Sequence, residues 1–297
     1  MSRTSKKKGV KEKKKDVKEE QKESNEQQKD ASFKKNASHT VSNLRPEATP
    51  IICSFPPNQA NPRKYAVFEG DYQCLAPRSF ISTNITDFKQ RLLQPGGPAG
   101  QAVWLLSSEV AQQMSGRWWE APELCRQLEK AKLYEDEGCK IIFMPWCEQG
   151  HFFSVVAVPG PQDRIYIMES IGGYETPAGA AILGNFLSNV RARIGWDPVD
   201  CITITLESPK QPPGSNNCGL FMLENVAMVL RDPDDFCLKA ETRSMKDWYP
   251  SSQVAGRREE MAELIRRMGK DQREPGQVHE TQEALNLPDF KVKVILR

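Results

Sequence analysis

Apolar positions divide this chain into two regimes. Residues 1 to about 48 carry almost no hydrophobic side chains, and a run such as "SKKKGVKEKKKDVKEEQKESNEQQKD" cannot bury enough surface to offset the entropy of ordering it, so it reads as a disordered tail. From about residue 49 apolar residues return. "ANPRKYAVFEGDYQCLAP" (60–77) holds short β-prone pieces broken by Pro and Gly. "NITDFKQRLL" (84–93) then sets Ile85, Phe88, Leu92 and Leu93 on one helical face with Asn84 as its cap, and "WWEAPELCRQLEKAKL" (118–133) places Leu124, Leu128 and Leu133 roughly on a stripe.

The middle of the chain changes period. "CKIIFMPWCEQGHFFSVVAVPGPQDRIYIMES" (139–170) predicts two strands on either side of Gly150 and a third after the turn "PGPQD". Helical spacing resumes in "TPAGAAILGNFLSNVRARI" (176–194), gives way to a β-branched strand in "CITITLES" (201–208), and returns in "CGLFMLENVAMVLRD" (218–232), where Leu220, Leu223, Val226, Ala227 and Leu230 point inward. "REEMAELIRRM" (258–268) is amphipathic, presenting Met261, Leu264, Ile265 and Met268. The order predicts an α+β domain over 49–270, a mainly antiparallel sheet flanked by helices, with a polar tail over 271–297.

Charge adds a second division. The 41 Lys and Arg against 39 Asp and Glu leave a net +2, but residues 1–40 hold 13 basic against 7 acidic residues (+6) and the remainder 28 against 32 (−4). The basic arm is compatible with a solvated tail, with nuclear import, or with weak, salt-sensitive nucleic-acid contact. No apolar leader opens the chain and no window approaches eighteen uninterrupted apolar residues, so the expectation is a soluble, intracellular, monomeric protein without membrane contact, with nucleus and cytoplasm both open. Eight scattered cysteines lack metal-ligand spacing and CxxC pairs, which predicts neither a metal site nor a disulfide framework.

Candidate chemistry gathers at "QPPGSNNCGLFM" (211–222), where a turn-forming run changes into an apolar helix at Cys218. A cysteine in the first turn of a helix meets unsatisfied backbone N–H groups and the positive end of the helix dipole, both of which favour thiolate over thiol. Its base has to be His151, because the other two histidines, His39 and His279, lie in the tails. If the hairpin is centred near Gly160, Glu169 falls opposite His151 and can orient the imidazole, whereas Asp163 sits at the turn itself. Gln211, seven residues before Cys218 across a loop stiffened by Pro212 and Pro213 and turned at Gly214, can bring its amide beside the Cys218 N–H as an oxyanion hole.

These blocks, in this order, resemble the ubiquitin-like-protein-specific cysteine proteases, which include the SUMO (sentrin) proteases, with adenain as a more distant relative. "EGDYQCLAPRSFISTNITDFKQRLL", "IIFMPWCEQGHFFSVVAV", "RIYIMESIGG", "QPPGSNNCGLFM" and "SSQVAGRREEMAELIRRM" carry the resemblance over about 65–268. It implies a papain-like, adenain-like core with the catalytic Cys at a helix N-terminus. It also implies His151 as general base, Glu169 as its carboxylate, Cys218 as nucleophile and Gln211 as oxyanion donor. Phe152 and Gly219 would border a tunnel for the Gly-Gly tail of a SUMO-like modifier, and no cofactor is required. The chain departs from the cellular enzymes in having Phe152 for Trp, Glu169 for Asp, Asn217 for Asp and a seven-residue gap from Gln to Cys, and the Glu and the gap look more like adenain. A viral or mobile-element polyprotein protease and a catalytically silent module that binds a ubiquitin-like protein remain alternatives to a modifier-cleaving protease.

Overall fold

Three long strands form the centre of the sheet because residues 141–168 alternate their apolar side chains between two faces at the period of two that a strand imposes. This computed structural model describes residues 51–55, 66–94, 101–114, 122–136, 138–174 and 176–273. The 1–48 tail, His39, His279, residues 118–121 and the C-terminal tail from 274 onward lie outside the described residues. In chain order the strands are β1 (Ile51–Ser54), β2 (Ala66–Phe68), β3 (Val103–Leu105), β4 (Ile141–Glu148), β5 (His151–Val158), β6 (Arg164–Met168) and β7 (Ile202–Thr205). The helices are α1 (Glu69–Gln73), α2 (Thr83–Leu93), α3 (Ser108–Met114), α4 (Pro122–Ala131), α5 (Ala178–Arg193), α6 (Cys218–Arg231), α7 (Pro233–Thr242), α8 (Ser251–Ala255) and α9 (Arg257–Arg273).

The main sheet runs β3-β4-β5-β6-β7, and β1 pairs with β2 in a separate two-stranded ribbon. As expected the central pairings are antiparallel; the short outer strands β3 and β7 join them in parallel. Even-numbered residues of β5 and β6, such as Phe152, Val156, Tyr166 and Met168, form one core with α6, α2, α7 and α9. Odd-numbered ones, such as Phe153, Val155, Ile165 and Ile167, form a second core with Leu183, Phe186 and Leu187 of α5.

Several expectations shift in detail. Ser82, not Asn84, caps α2: its hydroxyl accepts the Ile85 N–H at 3.3 Å, while Asn84 donates to Asp71 at 3.0 Å. The segment around 66–77 is one short strand followed by a helix, because Asp71 caps that helix by accepting the Phe68 N–H at 3.1 Å. Helix α6 is buried on nearly all sides, and Ala227 and Leu230, expected to point inward, are the half-buried members of its second half. A helix enclosed by sheet and helices has no single inward stripe. The stripe of α9 stands as expected, with Met261, Leu264, Ile265 and Met268 all buried.

Two contacts set the placement of α6 and α9. Asn225 of α6 donates to Ser154 Oγ of β5 at 3.0 Å and accepts from Tyr249 Oη at 2.8 Å, a buried chain that fixes the helix along the strand. Gly269 of α9 lies so close to β1 that a Cβ there would stand 2.6 Å from the Ile52 carbonyl oxygen.

Candidate active site

The β4–β5 connection decides where the base goes. Gln149 and Gly150 both adopt positive φ (51° and 78°), the pairing that a two-residue type I′ turn needs, and Glu148 pairs with His151. This turn starts β5 at His151 and leaves the imidazole at the rim of the sheet, only 2% exposed.

The β5–β6 register differs from expectation by one residue at the turn. Ser154 pairs with Met168 and Val155 with Ile167, so partners sum to 322 and the hairpin centres on position 161, not Gly160. The same rule sets Glu169 opposite Phe153, diagonal to His151. Moving the centre by one residue moves the partner by two and preserves the face, so the carboxylate still lies on the imidazole's side of the sheet. The side chain spans the diagonal: Oε2 stands 3.5 Å from His151 Nε2. Asp163, the other carboxylate considered, is fully buried at the opposite end of β6, where it accepts from Tyr134 Oη and the Gly160 N–H.

Glu169 is held tightly. Its Oε2 accepts the N–H groups of Ile171 and Gly172, each at 2.7 Å, and its Oε1 accepts from Lys210 Nζ at 2.9 Å. Burial alone would raise its pKa, but the His151 contact, the two backbone donors and Lys210 override burial and lower it from 4.5 to about 2. His151 is displaced the other way. Burial disfavours the imidazolium, yet the Cys218 sulfur and the Glu169 carboxylate more than compensate and raise its pKa above 6.5.

Neither imidazole nitrogen makes a close hydrogen bond among the described residues. The ring is oriented instead by packing: Tyr174 stacks on it at 4.4 Å with planes 17° apart, and Phe153 meets it edge-on at 4.6 Å. With Nε2 turned to Glu169, Nδ1 is the nitrogen left for the thiol.

Cys218 is the first residue of α6, so its N–H has no intrahelical acceptor. Phe152 and Ile81 close around the next residue: a Cβ on Gly219 would stand 3.2 Å from the Phe152 ring and 3.4 Å from Ile81. Phe152 is therefore buried against the nucleophile loop, at 5% exposure, whereas Phe80, the residue before Ile81, is 49% exposed. Gln211 is pinned at both ends of its amide. Its Oε1 accepts from Ser170 Oγ at 3.1 Å and its Nε2 donates to the Ser215 carbonyl at 2.6 Å, which fixes the amide orientation and leaves one N–H to aim elsewhere. Gly214, at φ 74°, turns the intervening loop.

Sequence reasoning missed Tyr174, Lys210 and Arg258. Arg258 of α9 reaches under the nucleophile loop and donates to Asn217 Oδ1 at 3.0 Å. Its signal was present, since 258 stands three residues before Met261 and seven before Ile265, in line with the buried stripe. Lys210 is adjacent to Gln211, yet nothing in the sequence pattern singles it out. Among the described residues no three His, Cys, Asp or Glu side chains gather to hold a metal ion, and no helix is long and apolar enough to cross a membrane.

No protein-family model and no curated protein matches this chain. Solved structures do. A de-sumoylating protease is 14% identical, with a TM-score of 0.52 over 70% of this chain and 88% of that one. The C-terminal Ulp1 protease domain in complex with Smt3, the yeast ortholog of SUMO, is 17% identical, with a TM-score of 0.50 over 80% and 94% respectively. SUMO protease Ulp1 with its catalytic cysteine oxidised to a sulfinic acid is 19% identical, with a TM-score of 0.50 over 72% and 90%. The chain has the α+β fold of the Ulp1-like SUMO proteases.

Proposed function

We propose that this chain is a cysteine protease that cleaves after the C-terminal glycine of a ubiquitin-like modifier of the SUMO type, releasing it from a precursor tail or from an isopeptide bond to lysine. The observation that carries this reading is the buried imidazole of His151, 3.5 Å from the Glu169 carboxylate and within electrostatic reach of the Cys218 sulfur at the start of α6. The complexes formed by similar folds support the choice of modifier, since the Ulp1 domain is bound to Smt3.

The chemistry follows from the geometry. Cys218 Sγ, as thiolate opposite a protonated His151, attacks the glycyl carbonyl carbon. The carbonyl oxygen takes up the electron pair and is held by the Cys218 N–H and the free Gln211 Nε2–H. As the oxyanion collapses, the C–N bond breaks and His151 gives its proton to the departing amine, leaving a thioester on Cys218. Water then attacks the thioester, His151 takes its proton, and the C–S bond breaks to free the glycine carboxylate and regenerate the thiolate. Glu169 keeps Nε2 engaged throughout and steadies the imidazolium. Phe152 and Ile81 give an extended glycine tail an apolar wall at Gly219.

The test is covalent labelling by ubiquitin, SUMO and other ubiquitin-like proteins carrying C-terminal thiol-reactive groups, read by intact mass, with Cys218→Ala as control. The expected result is a SUMO adduct absent from the control. If folded protein forms no adduct with any modifier, the proposal fails; cleavage of short Gly-containing peptides would then identify a polyprotein-type protease.

A further inference from the structure

Arg258 has an unusual environment for a guanidinium. It is 4% exposed and makes five hydrogen bonds, all to uncharged oxygens. Nη1 donates to the carbonyls of Cys74 (2.8 Å) and Ala76 (3.2 Å). Nη2 donates to the carbonyls of Ser79 (2.9 Å) and Asn216 (3.2 Å) and to Asn217 Oδ1 (3.0 Å). Among the described residues no carboxylate lies within ion-pair distance of it. A buried cation without an anion is costly, and the ordinary remedy is a carboxylate partner. The position best placed to supply one, 217, is an asparagine.

We infer that Arg258 is a positioning residue whose charge, with no carboxylate at ion-pair distance among the described residues, serves as a fixed counter-ion for the Cys218 thiolate, while its five hydrogen bonds tie the loop before Cys218 to the 74–79 segment that leads to Phe80. The role rests on the functional reading above for its purpose, but not for its test. Two of the five acceptors belong to the residues immediately preceding Cys218, which places the guanidinium beside the nucleophile; burial lowers the pKa of Arg258, and the charges of Glu259, then Cys74, then Cys218 act in the opposite direction. Electrostatic attraction is mutual, so the guanidinium favours the thiolate by the same interaction.

The other groups around the sulfur are accounted for. His151 faces it from β5, and Cys147 of β4 and Tyr174 after β6 lie within electrostatic range. Glu169 acts through His151. Around Arg258 itself stand Cys74 after α1, with Asp71 beyond it, and Glu259 on its own helix. Asn217 is the point at which the arrangement has been kept from neutralising itself: an aspartate there would pair with Arg258 and cancel its field at the sulfur.

The experiment follows the rate of iodoacetamide alkylation of Cys218 against pH, by peptide mass, in the full chain and in Arg258→Met, Arg258→Lys and Asn217→Asp. Arg258→Met is expected to displace the profile to higher pH, with alkylation at pH 6 about tenfold slower and the high-pH plateau unchanged, the effect of losing one nearby opposite charge. Arg258→Lys keeps the charge but not the fork of hydrogen bonds, and is expected to hold the wild-type profile while melting at lower temperature. Because Arg258→Met can fail to fold, Asn217→Asp provides a displacement in the same direction at a position where Asp and Asn begin a helix equally well. Folded Asn217→Asp with the wild-type profile overturns the inference, as does an Arg258→Lys profile displaced as far as that of Arg258→Met. A displaced profile in a protein that no modifier labels would leave the counter-ion role standing and count only against the proposed substrate.

Discussion

Glu169 reaches His151 along a diagonal, and shortening it should therefore weaken the pair. Glu169→Asp removes one methylene and draws the carboxylate back by about 1.5 Å, taking the 3.5 Å contact with Nε2 to about 5 Å. At an effective dielectric of about 20 the attraction between carboxylate and imidazolium falls from about 4.7 to about 3.3 kcal/mol. The difference of about 1.4 kcal/mol corresponds to about tenfold less imidazolium relative to imidazole at a given pH. The sign follows from the direction of the native shift: Glu169 helps to raise the His151 pKa, so a more distant carboxylate lets the ring lose its proton at lower pH. The alkaline limb of turnover, where the thiolate–imidazolium pair is lost, should move toward acid with it. The direct assay is an NMR titration of the histidine rings, simplified because the chain has only three. A His151 titration unchanged in Glu169→Asp, or moved to higher pH, would refute the argument that side-chain length compensates for register here.

Three further outcomes are expected. Gln211→Ala should lower kcat by about 10²–10³, the loss typical of one oxyanion donor, with little change in melting temperature, measured on a SUMO fusion. Glu169→Gln should be less stable than wild type by up to about 3 kcal/mol at neutral pH, because the native carboxyl titrates at about 2 against an ordinary 4.5. A depressed carboxyl pKa contributes stability above its unfolded value, and that contribution is lost as pH falls from about 4.5 to about 2; denaturant midpoints of the two proteins should converge across that window. Gly269→Ala should cost about 1–3 kcal/mol by thermal denaturation, since the added Cβ meets the backbone of β1 and not a flexible side chain.

Legibility in the sequence followed the strength of local patterning. Strands β4 to β6 and helix α6 announced themselves because their apolar runs are bounded by unambiguous turn residues, and Cys218 stood where one regime became another. The His151–Glu169 pairing was reachable because strand periodicity fixes the face, although the turn centre, and with it the opposing residue, was not. Turn geometry depends on backbone angles that "PGPQD" does not determine uniquely. Strand β1, four residues long, is held by pairing with β2 and by α9, and no local pattern reports contacts so distant in sequence. Lys210 and Tyr174 were hidden for the same reason: each gains its role from a partner on another element. Arg258 differs. Its place on the apolar stripe was visible, but a charge on such a stripe is readily taken for a surface residue, and only its five acceptors show otherwise.

The two cores have a consequence for how the site can fail. His151, Phe153 and Tyr174 belong to the layer packed on α5, whereas Cys218 and Phe152 belong to the layer packed on α6, and the two lie on opposite faces of a sheet whose strand β5 contributes side chains to both. Thiol and imidazole are thus machined from separate blocks and brought into alignment at a seam. Any slip of one block against the other, too small to expose either interior, appears at full amplitude as a gap between sulfur and nitrogen. The Ser154–Asn225–Tyr249 chain fastens α6 to β5, the strand that both blocks share. Tolerances in this protein are set there, so substitutions far from the cysteine that leave the fold intact can still be read out as lost alignment.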